Sequence, residues 1–191
     1  LSSQNFKSVL TGDASLSKRP MKRISDPLSK MNAIINTKNG CLPMYIEGQN
    51  LISTNINITI PSAQIKSGVI LAALNTSGIT KIIENNITRD HTEIMLEDFQ
   101  ADITFEKEGN KKIIKINGKK ELTAKDINVP SDLSSSAFFI VGALINKNSN
   151  LILKNININP SRTGILIALN KMGANIKFNN TRKVNNEDVC D

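Results

Sequence analysis

Residues Ser62, Ala63 and Gln64 have the types and spacing of a small anion-binding group. They follow Ile56–Ile60, where isoleucine alternates with polar residues as in a half-buried strand, and Pro61 ends that strand because proline has no amide hydrogen to donate. Ser62 is a good N-cap for the helical pattern behind it. Free backbone amides and the positive end of the helix dipole favour an anion there. The local pattern by itself favours the simpler interpretation, a capped helix without a ligand.

Three arginines, Arg19, Arg89 and Arg162, stand at or near predicted helix starts. A positive charge there opposes the helix dipole and costs stability, but the planar guanidinium fork can bind two oxygens of a phosphate or carboxylate at once. For any one arginine, contact with solvent or a nearby carboxylate is the simpler explanation, and the repetition leaves both interpretations open. Asp132, beside Ser131 at a later helix start, would repel an anion, so we expect that helix to be structural.

Other kinds of chemistry are not indicated. His91 is the only histidine, and Cys41 and Cys190 are distant in sequence, so no metal cluster is predicted. There is no phosphate-binding glycine loop, no dinucleotide-binding glycine motif and no assignable catalytic triad. His91 could serve as a general base, but a lone histidine in a first helical turn is more often structural.

The composition limits the classes of protein to which the chain can belong. The net charge is +7, and 39% of the residues are apolar but only 4% aromatic, so the core must be aliphatic. Basic charge is compatible with nucleic acid, an anionic membrane or phosphorylated small molecules. The lysines are scattered without interleaved aromatics, which argues against nucleic acid. No apolar run approaches the roughly 18 residues of a membrane span. Two cysteines make no disulfide framework, so we expect a reducing, cytoplasmic location.

The pattern predicts alternating strands and helices. Strands are predicted at Ser8–Leu10, Ile34–Ile35, Met44–Ile46, Leu51–Ile60, Ile79–Glu84, Ile103–Glu106, Lys112–Ile116, Ile127–Val129, Leu151–Ile158 and Asn175–Phe178. Helices are predicted from Pro20 to Met31, from Ser62 to a terminating Gly78, from an Asp90–Glu93 capping box to Gln100, from Ser131 to Asn146, and over Thr163–Met172. Gly109-Asn110 should close a hairpin. The tail from Asn185 to Asp191 has an acidic, turn-like composition.

An internal repeat decides the predicted fold class. Pro61-Ser62 and Pro130-Ser131 each join a strand to a helix, about 70 residues apart. Arg89 and Arg162 each lie 12 residues before an alanine, and Met31–Ile34 resembles a third copy. Each unit is therefore strand, helix, strand, helix, strand and usually one more strand. We expect α/β modules packed around a shared centre.

Five segments together resemble one known family. They are GDASLSKRPM (Gly12–Met21), PSAQIKS (Pro61–Ser67), TRDHTE (Thr88–Glu93), NPSRTG (Asn159–Gly164) and the Glu187–Val189 stretch. In this order they are similar to the motifs of the 5-enolpyruvylshikimate-3-phosphate synthases, in the bacterial class with alanine between the serine and the glutamine. The resemblance runs through nearly all 191 residues.

The resemblance implies a two-domain fold, each domain built from three βαβαββ units in an inside-out α/β barrel, here incomplete. Residues 1–129 would hold the last two units of the shikimate-phosphate-binding domain, the first of them truncated. Residues 130–191 would be one unit of the second domain. The chain would then be an internal fragment that is inactive alone, and a monomer when full length.

The implied reaction transfers the enolpyruvyl group of phosphoenolpyruvate to the 5-hydroxyl of shikimate 3-phosphate and releases phosphate, in the shikimate pathway of aromatic amino-acid biosynthesis. No metal or organic cofactor, nucleic acid or membrane would take part. Arg19 would bind phosphoenolpyruvate. Ser62, Ala63 and Arg89 would bind shikimate 3-phosphate, with Thr88 a further candidate, and Gln64 would contact both substrates.

No catalytic residue is expected within this chain, since the family's acid–base and lysine groups would lie outside it. The nearest alternative is UDP-N-acetylglucosamine enolpyruvyl transferase, with the same fold and donor. That enzyme should carry a reactive cysteine on a mobile loop, and neither Cys41 nor Cys190 stands in a convincing one. A basic nucleic-acid-binding α/β module is the alternative from another class.

Overall fold

The computed structural model describes residues 1–191, which separate into two compact units. The first unit contains residues 1–88 and 100–123, and the second contains residues 89–99 and 124–191. The chain thus passes from the first unit to the second and back before it enters the second for good. The predicted domain boundary at residue 130 stays a prediction.

Seven strands and two helices make up the first unit, with a short 3-10 helix at Leu16–Lys18. The strands are β1 (Lys7–Leu10), β2 (Ile34–Lys38), β3 (Cys41–Glu47), β4 (Asn55–Ile58), β5 (Ile79–Glu84), β6 (Ile103–Glu108) and β7 (Lys111–Asn117). The helices are α1 (Lys22–Lys30) and α2 (Ala63–Ala73). The predicted hairpin is confirmed, since β6 and β7 are joined by Gly109 and Asn110 alone.

Three helices and three short strands make up the second unit. The helices are α3 (His91–Asp98), α4 (Leu133–Ile145) and α5 (Gly164–Lys171). The strands are β8 (Ile156–Asn157), β9 (Arg182–Val184) and β10 (Glu187–Cys190). None of the five α-helices of the chain is both long and apolar enough to span a bilayer.

Strand order repeats three times along the chain. The sheets are ordered β1-β3-β2, β4-β5-β7-β6 and β8-β10-β9. In each sheet, the last two strands in sequence form an antiparallel hairpin: β2–β3, β6–β7 and β9–β10. The second strand of each hairpin also pairs with an earlier strand that precedes a helix: β3 with β1, β7 with β5 and β10 with β8. In the middle copy β4 adds a parallel neighbour to β5, which completes a βαβαββ unit with α2 and α3 as its helices. The predicted fold class, with incomplete outer copies, is confirmed.

The core is aliphatic, as the composition predicts. In the first unit α2 packs on β5, β7 and α1, and its residues Val69, Ile70 and Ala73 are wholly buried. Gly68 allows the close approach of α1, because an added Cβ would lie 2.8 Å from Ile24 Cδ1. A smaller cluster in the second unit forms around Leu133, Ile156 and Leu166.

Several predicted element ends are wrong for reasons of pairing. β4 stops at Ile58 because its partner β5 stops at Glu84, so Ile60 is 56% exposed and does not share the buried face of Ile56. Helix α2 ends at Ala73, and Gly78, with φ of +87°, instead turns the chain into β5. The predicted first helix begins at Lys22, after Pro20.

In the second unit, three predicted strands are wrong or too long. Residues 127–129 and 175–178 form no strand, and only residues 156–157 of the predicted 151–158 segment do. Residues 127–129, 151–155 and 175–178 have no neighbouring strand with which to exchange backbone hydrogen bonds. An isolated bridge joins Ser131 to Ile156. The turn-like tail is a hairpin, β9–β10, closed by Asn185 and Asn186, whose φ values are +47° and +62°.

Candidate functional site

The amino end of α2 has the geometry that the sequence predicts. Ser62 is extended (φ −156°, ψ 115°), and its Oγ accepts a hydrogen bond from the Ile65 amide at 3.4 Å. The same hydroxyl donates to Gln64 Oε1 at 3.2 Å. Ala63 and Gln64 are the first helical residues, whose amides have no intrahelical acceptor. Gln64 is exposed and Ser62 and Ala63 are half-buried, so this helix end is accessible to an anion.

A cavity of about 550 Å³ lies beside this helix end in the first unit. Its lining includes Ile60 and Ile65, which flank the Ser62–Gln64 segment, and basic side chains of α1, Arg23 and Lys30. Asp26 also lines it, so the cavity is mixed in charge. The cavity lies next to the predicted anion-binding residues, but Ser62, Ala63 and Gln64 do not line it.

A lysine outside the predicted site residues, Lys66, lies one turn into α2. The Lys66 side chain is fully buried and forms an ion pair with Glu84, the last residue of β5, at 3.2 Å. Glu84 Oε1 accepts hydrogen bonds from the Thr88 amide, at 2.8 Å, and from the Thr88 hydroxyl. Lys66 Nζ donates to the Thr88 carbonyl at 3.4 Å. The buried pair therefore connects α2 to the segment that leads into Arg89.

Arg19 follows the short 3-10 helix and is exposed. Its backbone amide donates to the Leu16 carbonyl at 3.0 Å, while its side chain makes no ion pair. The turn before it is closed by Asp13, whose Oδ1 accepts from the Leu16 amide at 2.7 Å, and by Ser17, whose hydroxyl donates to the Gly12 carbonyl at 3.0 Å. Asp13 thus has a structural function in the turn that presents Arg19.

Arg89 and Arg162, both in the second unit, differ in their partners. Arg162 pairs with Asp132 and donates to Ser134 Oγ at 2.6 Å. Asp132 is the N-cap of α4, and the Ser135 hydroxyl and amide, the Ser134 amide and Arg162 all lower its pKa. Arg89 is half-buried and forms no ion pair. The charge of Arg162 therefore has a carboxylate partner, whereas the charge of Arg89 has none.

A polar network in the second unit holds the residues just after Arg89. His91 Nδ1 lies 2.5 Å from Glu187 Oε1, and Glu187 Oε2 accepts from Asn157 at 3.0 Å. Buried Asn159 donates to Asp90 Oδ1 at 2.9 Å. The predicted capping box is wrong, because the Asp90 carboxylate is engaged by Asn159 and makes no cap hydrogen bond to α3. His91 has the structural surroundings that its position predicts.

Three members of these networks, Lys66, Glu84 and Glu187, were not predicted from the sequence. A lysine on the apolar face of α2, at one helical turn from Ser62, was the available signal, because lysine is rarely buried without a partner. The Glu84–Thr88 spacing, a carboxylate just before a loop with free amides, was a second signal. Glu187 offered none, since its partner His91 is 96 residues away.

Both cysteines are free thiols. Burial raises the pKa of the Cys190 thiol, which therefore stays protonated and a poor nucleophile at neutral pH. Cys41 is half-buried on β3, with its Sγ 3.7 Å from the Lys18 carbonyl. No group of three or more histidine, cysteine and acidic side chains could hold a metal ion.

Repeated βαβαββ topology, with a serine-capped helix in its middle copy, defines a class of repeat-built α/β proteins. The family model for EPSP synthase (3-phosphoshikimate 1-carboxyvinyltransferase) matches residues 1–189, and the chain belongs to that family.

Relatives with this description are close in sequence and structure. The chain is 48% identical to the 3-phosphoshikimate 1-carboxyvinyltransferase of Magnetococcus marinus and 50% identical to that of Petrotoga mobilis, in both cases over 100% of this chain and over 42% and 44% of the relative. It superposes on EPSP synthase from Acinetobacter baumannii with a TM-score of 0.85 and 45% identity, covering 100% of this chain and 42% of that one. The chain thus spans less than half the length of these relatives.

Proposed function

We propose that this chain is part of an enzyme that transfers the enolpyruvyl group of phosphoenolpyruvate to the 5-hydroxyl of shikimate 3-phosphate, with release of phosphate. The observation that carries the proposal is the contrast among three arginines. All three stand in family-like segments, but Arg162 is neutralised by Asp132, while Arg19 and Arg89 have no carboxylate partner. A guanidinium without a protein partner suits the phosphate and carboxylate groups of both substrates.

We assign substrate binding to the residues named from the sequence. Arg19 binds phosphoenolpyruvate. Ser62 and Ala63 hold shikimate 3-phosphate, Ala63 through its first-turn amide, and Gln64 contacts both substrates. Arg89 pairs with the phosphate group of shikimate 3-phosphate. Thr88 is the weakest member of the set, because its hydroxyl and amide both donate to Glu84.

The contribution of these residues is binding and orientation. Helix-end amides and guanidinium groups favour the doubly charged ligands electrostatically, and they fix two reactants in a geometry that lowers the entropic cost of reaction. No residue of this chain is proposed as the acid or base. Residues 1–129 and 130–191 are proposed to belong to two domains whose closure over the substrates excludes water. A cytoplasmic monomer is proposed for the full-length protein.

The direct test measures phosphate release by the full-length protein with phosphoenolpyruvate and either shikimate 3-phosphate or UDP-N-acetylglucosamine. We expect turnover with shikimate 3-phosphate only. Turnover with the nucleotide sugar alone would replace the proposal with its nearest rival. Tight, salt-sensitive binding of nucleic acid without affinity for shikimate 3-phosphate would favour a third function.

We also expect the isolated 191-residue chain to release no phosphate from these substrates. It spans 42% to 44% of the relatives' length, and the side chains of its proposed site bind anions without supplying a proton acceptor. Measurable release above that of a heat-denatured sample would contradict this expectation and would require a catalytic group among the residues described here.

A further inference from the structure

The ion pair between Lys66 and Glu84 is unusual because both side chains are almost wholly removed from solvent, with exposed fractions of 0% and 1%. Burial of two charges costs solvation free energy, and an apolar pair of similar volume often stabilises a fold as well or better. A contribution to folding stability is therefore a weak explanation for the presence of this pair. Its hydrogen bonds indicate what else it does.

Three of those hydrogen bonds go to a single residue. The amide and hydroxyl of Thr88 donate to Glu84 Oε1, and the Thr88 carbonyl accepts from Lys66 Nζ. Every polar atom of Thr88 is thus bound by the pair. Thr88 follows the end of β5 in a segment without regular secondary structure, so no helix or sheet would otherwise fix its position.

The same pair is fixed to the other proposed part of the site. Lys66 lies one turn from the amino end of α2, and its amide donates to the Ser62 carbonyl at 3.1 Å. Lys66 also neutralises the charge of Glu84 at the end of β5. The pair therefore sets the distance between the Ser62–Gln64 amides and the Thr88 backbone within the first unit.

We infer that Lys66 and Glu84 are positioning residues for shikimate 3-phosphate: they fix Thr88, and with it the chain entry to Arg89, relative to the amino end of α2. Neither side chain needs to touch the substrate. The inference rests on the proposed function, because it assigns the consequence of this geometry to the binding of that substrate.

The test uses the full-length protein and a double variant, Lys66→Met with Glu84→Gln. The double substitution avoids leaving one charge of the Lys66–Glu84 pair without the other, so we expect the fold to be retained. The matched control is Lys115→Met with Glu106→Gln, which removes a partly exposed pair of the same residue types on β7 and β6 of the same unit. Calorimetry gives the Kd of shikimate 3-phosphate, steady-state kinetics give the KM of phosphoenolpyruvate at saturating shikimate 3-phosphate, and hydrogen exchange follows the Thr88 and Arg89 amides.

We expect the double variant to bind shikimate 3-phosphate about tenfold to a hundredfold more weakly, because small misplacements of binding groups have effects of that size. The Thr88 amide should exchange faster, while the KM of phosphoenolpyruvate stays unchanged. The control should match the unaltered protein in all three measurements. This selective loss is something that a purely structural pair would not produce.

Three results would overturn the inference: unchanged affinity for shikimate 3-phosphate despite faster Thr88 exchange, an equal loss for both substrates, or failure of the double variant to fold, which would make the pair a stability element. The absence of shikimate 3-phosphate binding by the unaltered full-length protein is a different outcome, because it would reject the proposed function itself.

Discussion

At the scale of single residues, two arginines in equivalent positions differ in their partners. Arg89 and Arg162 start equivalent segments of two repeats, yet only Arg162 has a carboxylate and a hydroxyl as partners. An arginine whose charge is already neutralised gains little from an anionic ligand, whereas an unpaired, half-buried guanidinium gains most of a charge-assisted hydrogen bond.

We predict that Arg89→Ala in the full-length protein weakens shikimate 3-phosphate binding by about tenfold to a hundredfold, the equivalent of losing a hydrogen bond to a charged group. The unfolding free energy should stay unchanged. The matched control Arg162→Ala should do the opposite: it should lower stability by about 1 kcal/mol or less and leave affinity intact. Calorimetry and denaturant unfolding measure both. Equal affinity of the Arg89→Ala variant would remove Arg89 from the proposed site.

Ser62 combines a structural function with a proposed binding function, and these can be separated. Ser62→Ala removes the cap to Ile65 and should cost about 1 kcal/mol of unfolding free energy, whereas Ser62→Asp should retain the cap. Both variants should lose affinity for shikimate 3-phosphate, Ser62→Asp more strongly, since a carboxylate repels the ligand. Stronger binding by Ser62→Asp would show that no anion binds at this helix end.

Helix α4 illustrates, at the scale of elements, how a cap becomes sensitive to pH. The hydrogen bonds of Ser135 and Ser134 and the charge of Arg162 lower the pKa of Asp132 below its usual range. A carboxylate whose folded pKa is depressed contributes stability above its unfolded pKa, about 3.9, and that contribution is lost as the pH falls through the folded value.

We therefore predict that the unfolding free energy of the unaltered chain declines more steeply below about pH 4 than that of the variant Asp132→Asn. Asparagine is an equally good N-cap, so the comparison isolates the charge. At neutral pH the variant should lose about 1 kcal/mol or less, through the Arg162 pair. Denaturant unfolding across this pH range measures both, and parallel curves would show that Asp132 contributes no pH dependence.

Local patterns predicted the elements well wherever local hydrogen bonds decide the structure. The Ser62 cap and the Gly109-Asn110 hairpin both depend on residues close in sequence. The Asp90 capping box failed because its carboxylate binds Asn159, 69 residues later. The predicted strand at residues 175–178 failed because a strand needs a neighbour, which a single segment cannot reveal.

For the candidate site, too, local features could be predicted from the sequence and long-range contacts could not. The capped helix end could be predicted because N-cap preference is a property of single residues and their immediate neighbours. The substrate roles of Ser62, Gln64 and the arginines came from the family resemblance and stay predictions. The buried Lys66–Glu84 pair could not be predicted, because its members come from a helix and a strand that meet only in the fold. The β9–β10 hairpin was missed although Asn185-Asn186 is a recognisable two-residue turn pair.

At the scale of the whole molecule, the exposed apolar side chains of α4 bear on self-association. Phe138, Phe139 and Ile145 are 82%, 64% and 76% exposed. Exposed apolar surface that is continuous along a helix promotes association. We predict that the 191-residue chain self-associates as its concentration rises, and that Phe138→Ser with Ile145→Ser reduces this.

Light scattering over a concentration series tests the prediction. The matched control is Ile79→Ser, which removes one exposed apolar side chain from β5, outside α4, and should leave the association unchanged. A chain that stays monomeric without any substitution would contradict the prediction, and equal improvement by the control would show that α4 is not the responsible surface.

The hydrogen bond between His91 and Glu187 has a practical consequence, because His91 is the only histidine in the chain. The proton NMR spectrum of this chain should hold a single set of imidazole signals, whose chemical shifts report on the contact with Glu187 without any isotope label. The native sequence thereby supplies its own spectroscopic probe, two residues beyond the arginine on which the proposed recognition of substrate depends.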